Sequence, residues 1–316
     1  MSEIHRCLWS KENQAYCMIE VLIMVFRDEE ERFHHIGAKV GEVNPYVLLP
    51  GSRVRVKRIA EKLDSREVVW DERFLMINGF FKGKPVTAID TGIGPSSAAI
   101  VVREVIEGID FKKHEKAVLL RVGTSGSLQR FVKPGDLVVT TGTVAEEGVS
   151  MRIVGARYPL CADPDVVVAL VKAAKKNGYE LGKNLHVGVT HAKEALYEIE
   201  DPSFSAFPKR AQENLELLEK LGVLCTEMEF SIISALAASY NARWIRKGEE
   251  KRIFTGGVFL VLSPPKGAEE GVEFLKPSQE GLIKTALDAL TNCHVNLGRK
   301  NKMVAAMDTL DWIDSI

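Results

Sequence analysis

Cysteine is scarce in this chain and follows no pairing pattern. Five cysteines lie far apart among the 316 residues: Cys7, Cys17, Cys161, Cys225 and Cys293. None belongs to a Cys-x-x-Cys pair or has a histidine-rich neighbourhood, so neither a zinc site nor a disulfide framework is expected. Isolated cysteines of this kind are typical of a reducing compartment. We therefore expect a cytoplasmic protein.

The chain also lacks an excess of either charge and any long apolar run. The 42 basic and 43 acidic residues give a formal net charge of -1, which gives no sign of a nucleic-acid partner. The longest apolar run near the start, 21–26, is too short to span a bilayer and is flanked by Glu20 and Asp28. No basic region or small-residue cleavage site accompanies it, so a signal peptide is not expected. We expect a small-molecule partner, no nucleic acid and no membrane.

Apolar runs alternate with helical patterns along most of the chain. Strand-turn-helix units repeated this often indicate an α/β sheet with helices on both faces, whose ligands gather at the carboxyl ends of the strands. Strands are predicted near 46–49, 86–89, 117–122, 137–141, 185–190 and 257–262. Helices are predicted near 55–63, 97–106, 164–177, 206–221, 228–240 and 278–290.

Two charged stretches suggest where the domain begins and where an exposed loop lies. Residues 27–32 read Arg-Asp-Glu-Glu-Glu-Arg, a cluster that usually marks a solvated boundary. We therefore predict an N-terminal extension over residues 1–32 and a single α/β domain over residues 33–316. The hydrophilic stretch 243–252 is predicted to be a loop between a helix and a strand.

The most informative motif is Arg-Val-Gly-Thr-Ser-Gly at residues 121–126, directly after an apolar strand. An arginine followed by this turn offers a guanidinium, hydroxyls and unhindered backbone N–H groups, which suit an oxyanion. An arginine that ends an apolar strand is desolvated unless it meets an anion or a carboxylate. A phosphate site is the functional interpretation, and a structural ion pair is its main competitor.

Two further glycine-bearing turns follow predicted strands. Leu-Pro-Gly-Ser at residues 49–52 opens a basic helix, where glycine permits close approach and the helix N-terminus attracts anions. Thr-Gly-Ile-Gly at residues 91–94 lacks the third glycine of a dinucleotide fingerprint. Ordinary turns or a close helix–strand crossing would also explain them. Three such strand ends together favour one shared anion site.

Two glutamates stand at the start of an apolar helix. Glu227 is explained by the helix dipole, which favours carboxylates in a first turn. Glu229 lies beside a helix that should be mostly buried, and a buried carboxylate requires hydrogen-bond donors or a cation. Arg121 is a candidate cation, and the hydroxyls of a sugar are suitable donors.

These motifs, together with Gly-Val-Thr at residues 188–190, occur in the order found in one enzyme family. The chain resembles the nucleoside phosphorylases of the uridine phosphorylase and hexameric purine nucleoside phosphorylase type, from about His35 to about Leu290. The resemblance implies an α/β fold of three layers, with a central mixed and partly barrel-like sheet flanked by helices. It implies a pentosyltransferase of nucleoside metabolism and nucleotide salvage, which turns a nucleoside and inorganic phosphate into a free base and a pentose 1-phosphate. No organic cofactor is implied.

The resemblance also implies roles for individual residues. Arg121 and Glu229 would be catalytic, with Glu229 orienting the ribose 2′-hydroxyl and Arg121 bridging this carboxylate and the phosphate. Phosphate ligands would be Gly51, Arg55, Arg66, Arg121 and Thr124. Ribose contacts would be His35, Met228 and Glu229.

Some of these roles require a second subunit. Arg66 and His35 match residues that act across a dimer interface, so the resemblance implies a homo-oligomer, a hexamer built as a trimer of dimers. Some members of the family hold a potassium ion on the dimer axis, and its ligands would correspond to Glu67, Ile93 and Ser97.

The base end departs from the family pattern. Matching positions are Ser125, Gly126, Leu196, Tyr197 and Glu200. Uridine phosphorylases read uracil with a Gln-x-Arg pair, and here Glu200 and Pro202 stand at those positions. The purine branch places an aspartate after the late strand, but here Leu-Ser-Pro-Pro follows at 262–265 and the nearest acids are Glu269 and Glu270.

The sequence therefore leaves several readings open. A uridine-like pyrimidine nucleoside is the expected substrate by overall similarity, and a purine nucleoside is the alternative. A nucleosidase that uses water would not need Arg55, Arg66 and Arg121. A non-catalytic nucleoside-binding protein would explain the altered base end, but not the intact phosphate and ribose sets.

Overall fold

A computed structural model describes residues 25–201, 203, 205–265 and 278–293. Its strands in chain order are β1 Tyr46–Pro50, β2 Ser65–Asp71, β3 Leu75–Phe81, β4 Lys84–Ile89, β5 Lys116–Ser127, β6 Leu137–Glu146, β7 Leu160–Cys161, β8 Leu185–Lys193, β9 Cys225–Glu227 and β10 Arg252–Ser263. Its helices are α1 Arg53–Ala60, α2 Pro95–Gly108, α3 Gly148–Val154, α4 Pro164–Lys176, α5 Tyr197–Glu200, α6 Pro208–Lys220, α7 Phe230–Arg246 and α8 Glu280–Asn292. No helix in these ranges is long and apolar enough to cross a membrane.

The sheet closes into a barrel at one end and stays open at the other. Strands β5, β10, β6, β8 and β9 pair in a ring that returns to β5. From β5 the sheet continues through β1, β4, β3 and β2. Strand β5 is 12 residues long and is the strand shared by both parts, since it pairs in parallel with β1 and β10 and antiparallel with β9.

Helices cover both faces of this sheet, which completes three layers. One hydrophobic cluster packs α1, α4 and α8 against one face, with Val56, Leu170 and Leu287 in its interior. A second cluster packs α2 and α7 against the other face around Val101 and Ile233. The expected mixed α/β fold with a partly barrel-like sheet is therefore confirmed.

Several local features differ from the sequence prediction, among them the short elements α3, β7, α5 and β9, which it lacks. The sequence prediction also lacks the hairpin of β2 and β3. Strand β2 is largely exposed and carries none of the continuous apolar character of the buried strands. The predicted loop at 243–252 is wrong in its first part, since α7 continues to Arg246. Trp244 is buried there and contacts the ring of Phe111, which extends the apolar face of the helix by a turn.

Residues 25–32 contact the domain that follows them. Arg27 forms an antiparallel bridge with Phe33, and the side chain of Val25 packs against the second cluster. The proposed division at residue 32 remains a prediction, because residues 1–24 lie outside the described part.

Close packing of α4 on β10 gives a test of the sheet–helix interface. A Cβ atom at Gly256 would lie 2.4 Å from Cγ1 of Val166. We expect Gly256→Ala to lower the free energy of unfolding by about 1–3 kcal/mol, the usual cost of overpacking. Denaturant unfolding measures the change.

The matched control is Gly148→Ala at the start of α3. A Cβ atom there would meet nothing within 4 Å, so stability should stay the same or rise slightly. Equal effects of the two alanines would contradict the packing described for α4.

Candidate active site

Arg121 lies in the middle of β5 with 4% of its surface exposed. One terminal nitrogen donates to the carbonyl of Leu49 at 3.1 Å and to the hydroxyl of Thr91 at 3.4 Å. The other donates to Oε2 of Glu229, and Nε lies 3.7 Å from Oε2 of Glu227. The structural ion pair weighed against a phosphate site therefore exists, and the carboxylates in it include the glutamate that the resemblance assigns to ribose.

Glu227 and Glu229 lie at the junction of β9 and α7, and both are buried. Glu227 accepts the backbone N–H groups of Glu229 at 2.9 Å and Phe230 at 3.0 Å, which satisfies donors at the helix start. Oε1 of Glu229 accepts the N–H of Gly94 at 2.7 Å. Glu229 thus joins the arginine of β5 to the turn after β4.

The pKa of Glu227 is raised above its usual range. Burial is the main cause, the neighbouring charge of Glu229 adds to it, and Arg121 opposes both. Two carboxylates and one guanidinium therefore share a space with little water, in which each charge depends on the others.

The turn after β1 places glycine directly against the arginine. A Cβ atom at Gly51 would lie 3.3 Å from both terminal nitrogens of Arg121, so a larger residue would obstruct this face of the guanidinium. Ser52 caps α1 by accepting the N–H of Arg55 at 3.4 Å. The N-terminus of α1 therefore lies beside Arg121, with its partial positive charge.

Arg55 brings a second guanidinium to the same place. It is 6% exposed, donates through Nε to Gln279 at 3.0 Å and donates to the carbonyl of Val122 at 3.2 Å. Burial, with the charges of Arg121 and Arg58, lowers the pKa of Arg55 to about 10. Like charges brought together inside a protein favour a bound anion, which removes this repulsion.

The turn after β4 is packed closely against the start of α2. Gly92 and Gly94 have positive φ angles of 68° and 85°. A Cβ atom at Gly92 would lie 2.3 Å from Oγ of Ser97, whose hydroxyl donates to the carbonyl of Thr91 at 2.7 Å. The close crossing considered for this turn is therefore present, and the turn also orients the N–H of Gly94 toward Glu229.

The predicted base end surrounds Gly126 near the end of β5. A Cβ atom there would lie 3.0 Å from Oγ of Ser263 and 3.5 Å from Oε1 of Glu200. Ser125 is buried beside it, whereas Leu196 and Tyr197 are 37% and 72% exposed. Glu200 is thus close to Gly126, while Tyr197 lies mainly in solvent. Pro202, Glu269 and Glu270 lie outside the described residues.

Met228 and Thr124 are two further residues that the resemblance assigns to the site. Met228 is half-buried, and its Cε would lie 3.8 Å from a Cβ atom at Gly94. Thr124 is half-buried one residue after Gly123 on β5. Met228 therefore borders the turn whose N–H contacts Glu229, and Thr124 follows Arg121 by three residues on β5.

Three other predicted residues lie apart from this cluster, and a fourth, Ile93, stands in the turn of Gly92 and Gly94 with its side chain exposed. His35 is bound through Nδ1 to Glu104 of α2 at 2.6 Å, about ten residues along the helix from the turn that contacts Glu229. Arg66 and Glu67 are exposed on β2 at the edge of the sheet, and Ile93 is 76% exposed. Their roles across an interface and around potassium stay predictions.

Two buried residues near the base end were missed from the sequence. Lys193 ends β8, is 1% exposed and donates to Glu200. His191 is fully buried, with Nε2 2.9 Å from Glu146 and Nδ1 3.1 Å from the hydroxyl of Thr226. The sequence signal for these residues was their place, a histidine and a lysine directly after a predicted apolar strand. Only the pairing of β8 with β9, which the sequence does not predict, brings them to the site.

Comparison with known proteins decides the family. Residues 45–246, which contain the β5 arginine and the start of α7, match the model of the phosphorylase superfamily. This chain belongs to the phosphorylase superfamily. The resemblance and the expected enzyme class, a phosphorylase that transfers a pentosyl group, are therefore confirmed.

Relatives of this phosphorylase differ in the base that their names specify. A uridine phosphorylase of Thermococcus kodakarensis is 33% identical over 72% of this chain and 80% of its own length. A guanosine phosphorylase of Halorubrum lacusprofundi is 33% identical over 81% of this chain and 97% of its own length. A DeoD-type purine nucleoside phosphorylase of Oceanobacillus iheyensis is 34% identical over 66% of this chain and 81% of its own length. Similarity alone therefore leaves the base open.

The raised pKa of Glu227 predicts how stability depends on pH. The folded state holds the proton to a higher pH than the unfolded chain does, so this group's contribution to stability is present at low pH. It is lost as the pH rises from about 4.5 through the raised folded pKa. Glu227→Gln cannot ionise. We therefore expect its free energy of unfolding, relative to wild type, to increase by about 1–3 kcal/mol from pH 4 to pH 8.

Urea unfolding of both proteins across this range measures the difference. Glu213→Gln on α6, whose side chain is 64% exposed, is the control and should show no such trend. A difference between Glu227→Gln and wild type that stays constant with pH would contradict the assignment.

Proposed function

We propose that this protein catalyses the reversible phosphorolysis of a nucleoside, with uridine as the substrate. Inorganic phosphate is the co-substrate, and no organic cofactor takes part. The observation that supports this most is the hydrogen bond between buried Arg121 and Glu229, because it joins an anion site to a carboxylate suited to a sugar hydroxyl. A phosphate held there lies next to the ribose.

The phosphate site of the proposal consists of Gly51, Arg55, Arg121 and Thr124, with the partner subunit's Arg66 completing it. Two guanidiniums and the N-terminus of α1 supply the positive charge, and Gly51 leaves space against Arg121. Charge-assisted hydrogen bonds of this kind are the stronger class. They hold the nucleophile in a fixed position, which removes much of the entropy cost of bringing two substrates together.

The sugar is held by Glu229 and Met228, with His35 contributed from a neighbouring subunit. Glu229 accepts a ribose hydroxyl while Arg121 and Gly94 keep its carboxylate in place. As the bond from C1′ to the base nitrogen breaks, positive charge develops on the sugar. The phosphate stabilises this charge and then forms the new C1′–O bond. The electron pair of the broken bond leaves with the base.

Purine nucleosides are the second candidate substrate. The named relatives support each possibility, since they include a uridine, a guanosine and a DeoD-type purine nucleoside phosphorylase. Hydrolysis by water is disfavoured because it would place no anion beside Arg55, which is buried next to Arg121 and whose hydrogen bonds in the described residues go to the neutral acceptors Gln279 and Val122. A protein that only binds nucleosides would have no need for two buried arginines near Glu229.

The assembly that completes the site is a homo-oligomer, a hexamer built from dimers. His35 and Arg66 support this proposal, because one chain leaves them away from Glu229. A potassium ion held by Glu67, Ile93 and Ser97 would lie between subunits. We propose a cytoplasmic location in nucleotide salvage.

Phosphate-dependent release of base tests the proposed reaction. With uridine, inosine, guanosine, adenosine, cytidine and thymidine as substrates, at least one free base should appear with phosphate and not without it. Glu229→Gln should lower kcat/KM by roughly 100-fold or more, because the neutral amide loses the ion pair with Arg121 and orients the ribose poorly. Chromatography of the base and the pentose 1-phosphate measures both.

Glu213→Gln on α6 is the matched control and should keep full activity. Equal rates with and without phosphate would contradict phosphorolysis and support a nucleosidase. No turnover of any nucleoside by the wild-type protein would support a binding protein.

A further inference from the structure

Lys193 is a buried cation at the base end of the site. Its side chain is 1% exposed at the carboxyl end of β8. An ammonium group has three N–H donors, and among the described residues Lys193 uses them for one hydrogen bond, to Oε1 of Glu200. A buried ammonium with unused donors is costly unless a further acceptor is present.

Glu200 places this pair over the predicted base position. Its Oε1 would lie 3.5 Å from a Cβ atom at Gly126, beside the hydroxyl of Ser263 at 3.0 Å. The neighbouring residue of β8, Ala192, pairs in register with Glu227, two residues before the glutamate that contacts Arg121. The lysine and Glu200 therefore lie at the end of the strand next to β9, which leads to the glutamate proposed to bind the sugar.

The pair offers donors and acceptors side by side. Glu200 is 39% exposed, and in the described residues its Oε2 accepts no hydrogen bond, so it can accept an N–H from a ligand. Lys193 can donate to an adjacent carbonyl oxygen. A ring that carries N–H next to C=O, a lactam, satisfies both groups at once.

We propose that Lys193 and Glu200 select nucleosides whose base presents a lactam edge. Uracil offers N3–H beside its carbonyl oxygens, and guanine and hypoxanthine offer N1–H beside O6. Cytosine and adenine present a ring nitrogen without a proton and an amino group at this edge. The carboxylate of Glu200 would then face an acceptor, and the ammonium of Lys193 would face a donor. This inference rests on the proposed phosphorolysis and specifies its substrate class.

The same lysine assists departure of the base. When the C1′–N bond breaks, its electron pair enters the ring and spreads onto the lactam oxygen. Lys193 donates a hydrogen bond to this oxygen as negative charge grows on the oxygen. A phosphate oxygen forms the new bond to C1′. The interaction strengthens toward the transition state, so its loss should lower kcat as well as raise KM.

The test compares kcat/KM for uridine, guanosine and inosine with that for cytidine and adenosine. For wild type, the best lactam nucleoside should exceed both amino nucleosides by at least about 1000-fold, since a site built to hydrogen-bond one edge rejects the reversed edge strongly. The ratio of kcat/KM for uridine to kcat/KM for guanosine shows whether the preferred lactam belongs to a pyrimidine or to a purine.

Two variants assign this selection to the pair. Lys193→Met should lower kcat/KM for lactam nucleosides by roughly 10- to 100-fold. Glu200→Gln can turn its amide to donate, so it should reduce the preference over cytidine or adenosine at least about 10-fold. Lys209→Met, on an exposed lysine of α6, is the matched control and should change neither quantity.

Calorimetric titration with uracil, guanine, cytosine and adenine, each with phosphate present, gives a second readout that does not require turnover. Base binding can also be measured for a variant that folds but is inactive, and circular dichroism checks that the variant is folded. Wild-type protein that cleaves lactam and amino nucleosides equally well would overturn the inference and leave phosphorolysis intact. Absence of phosphate-dependent cleavage of any nucleoside would instead overturn the proposed function.

Discussion

The guanidinium of Arg121 is buried inside a sheet, and the surrounding structure compensates its charge. Removing such a group from water costs several kcal/mol unless its hydrogen bonds and charge are satisfied. Glu229, the carbonyl of Leu49 and the hydroxyl of Thr91 accept its hydrogen bonds. The carboxylate of Glu227 adds an opposite charge 3.7 Å from Nε, an atom that has no hydrogen-bond partner in the described residues. Because these groups come from three separate stretches of the chain, the interaction fixes β1, the turn after β4 and the start of α7 around one point of β5.

This arrangement connects fold and chemistry. Strand β5 belongs to both the barrel and the open sheet, so its arginine lies where turns from either part can reach it. The open part supplies Gly51, Arg55 and the N-terminus of α1, which favour an anion. The barrel part supplies the two glutamates and the Lys193–Glu200 pair. In the proposed reaction, phosphate, ribose and base would therefore lie in a row along the end of β5.

Much of the site could be predicted from the sequence because its motifs are local. An arginine after an apolar run and a glutamate before a buried helix each carry a desolvation cost that calls for a partner. The same reasoning could not find Lys193, whose partner is set by how a strand and a short helix pack at the barrel end. It also missed β2, since an exposed edge strand has little apolar pattern, and it ended α7 too early at Tyr240.

The most direct test is a double-mutant cycle in the free energy of unfolding with Arg121→Met and Glu229→Gln. Arg121→Met alone should cost about 3–5 kcal/mol, because it leaves buried carboxylates without their cation. Adding Glu229→Gln should recover part of this loss. The double variant should therefore lose less free energy of unfolding than the two single variants lose together. Additive losses would contradict the account, since they would mean that the two side chains do not depend on each other.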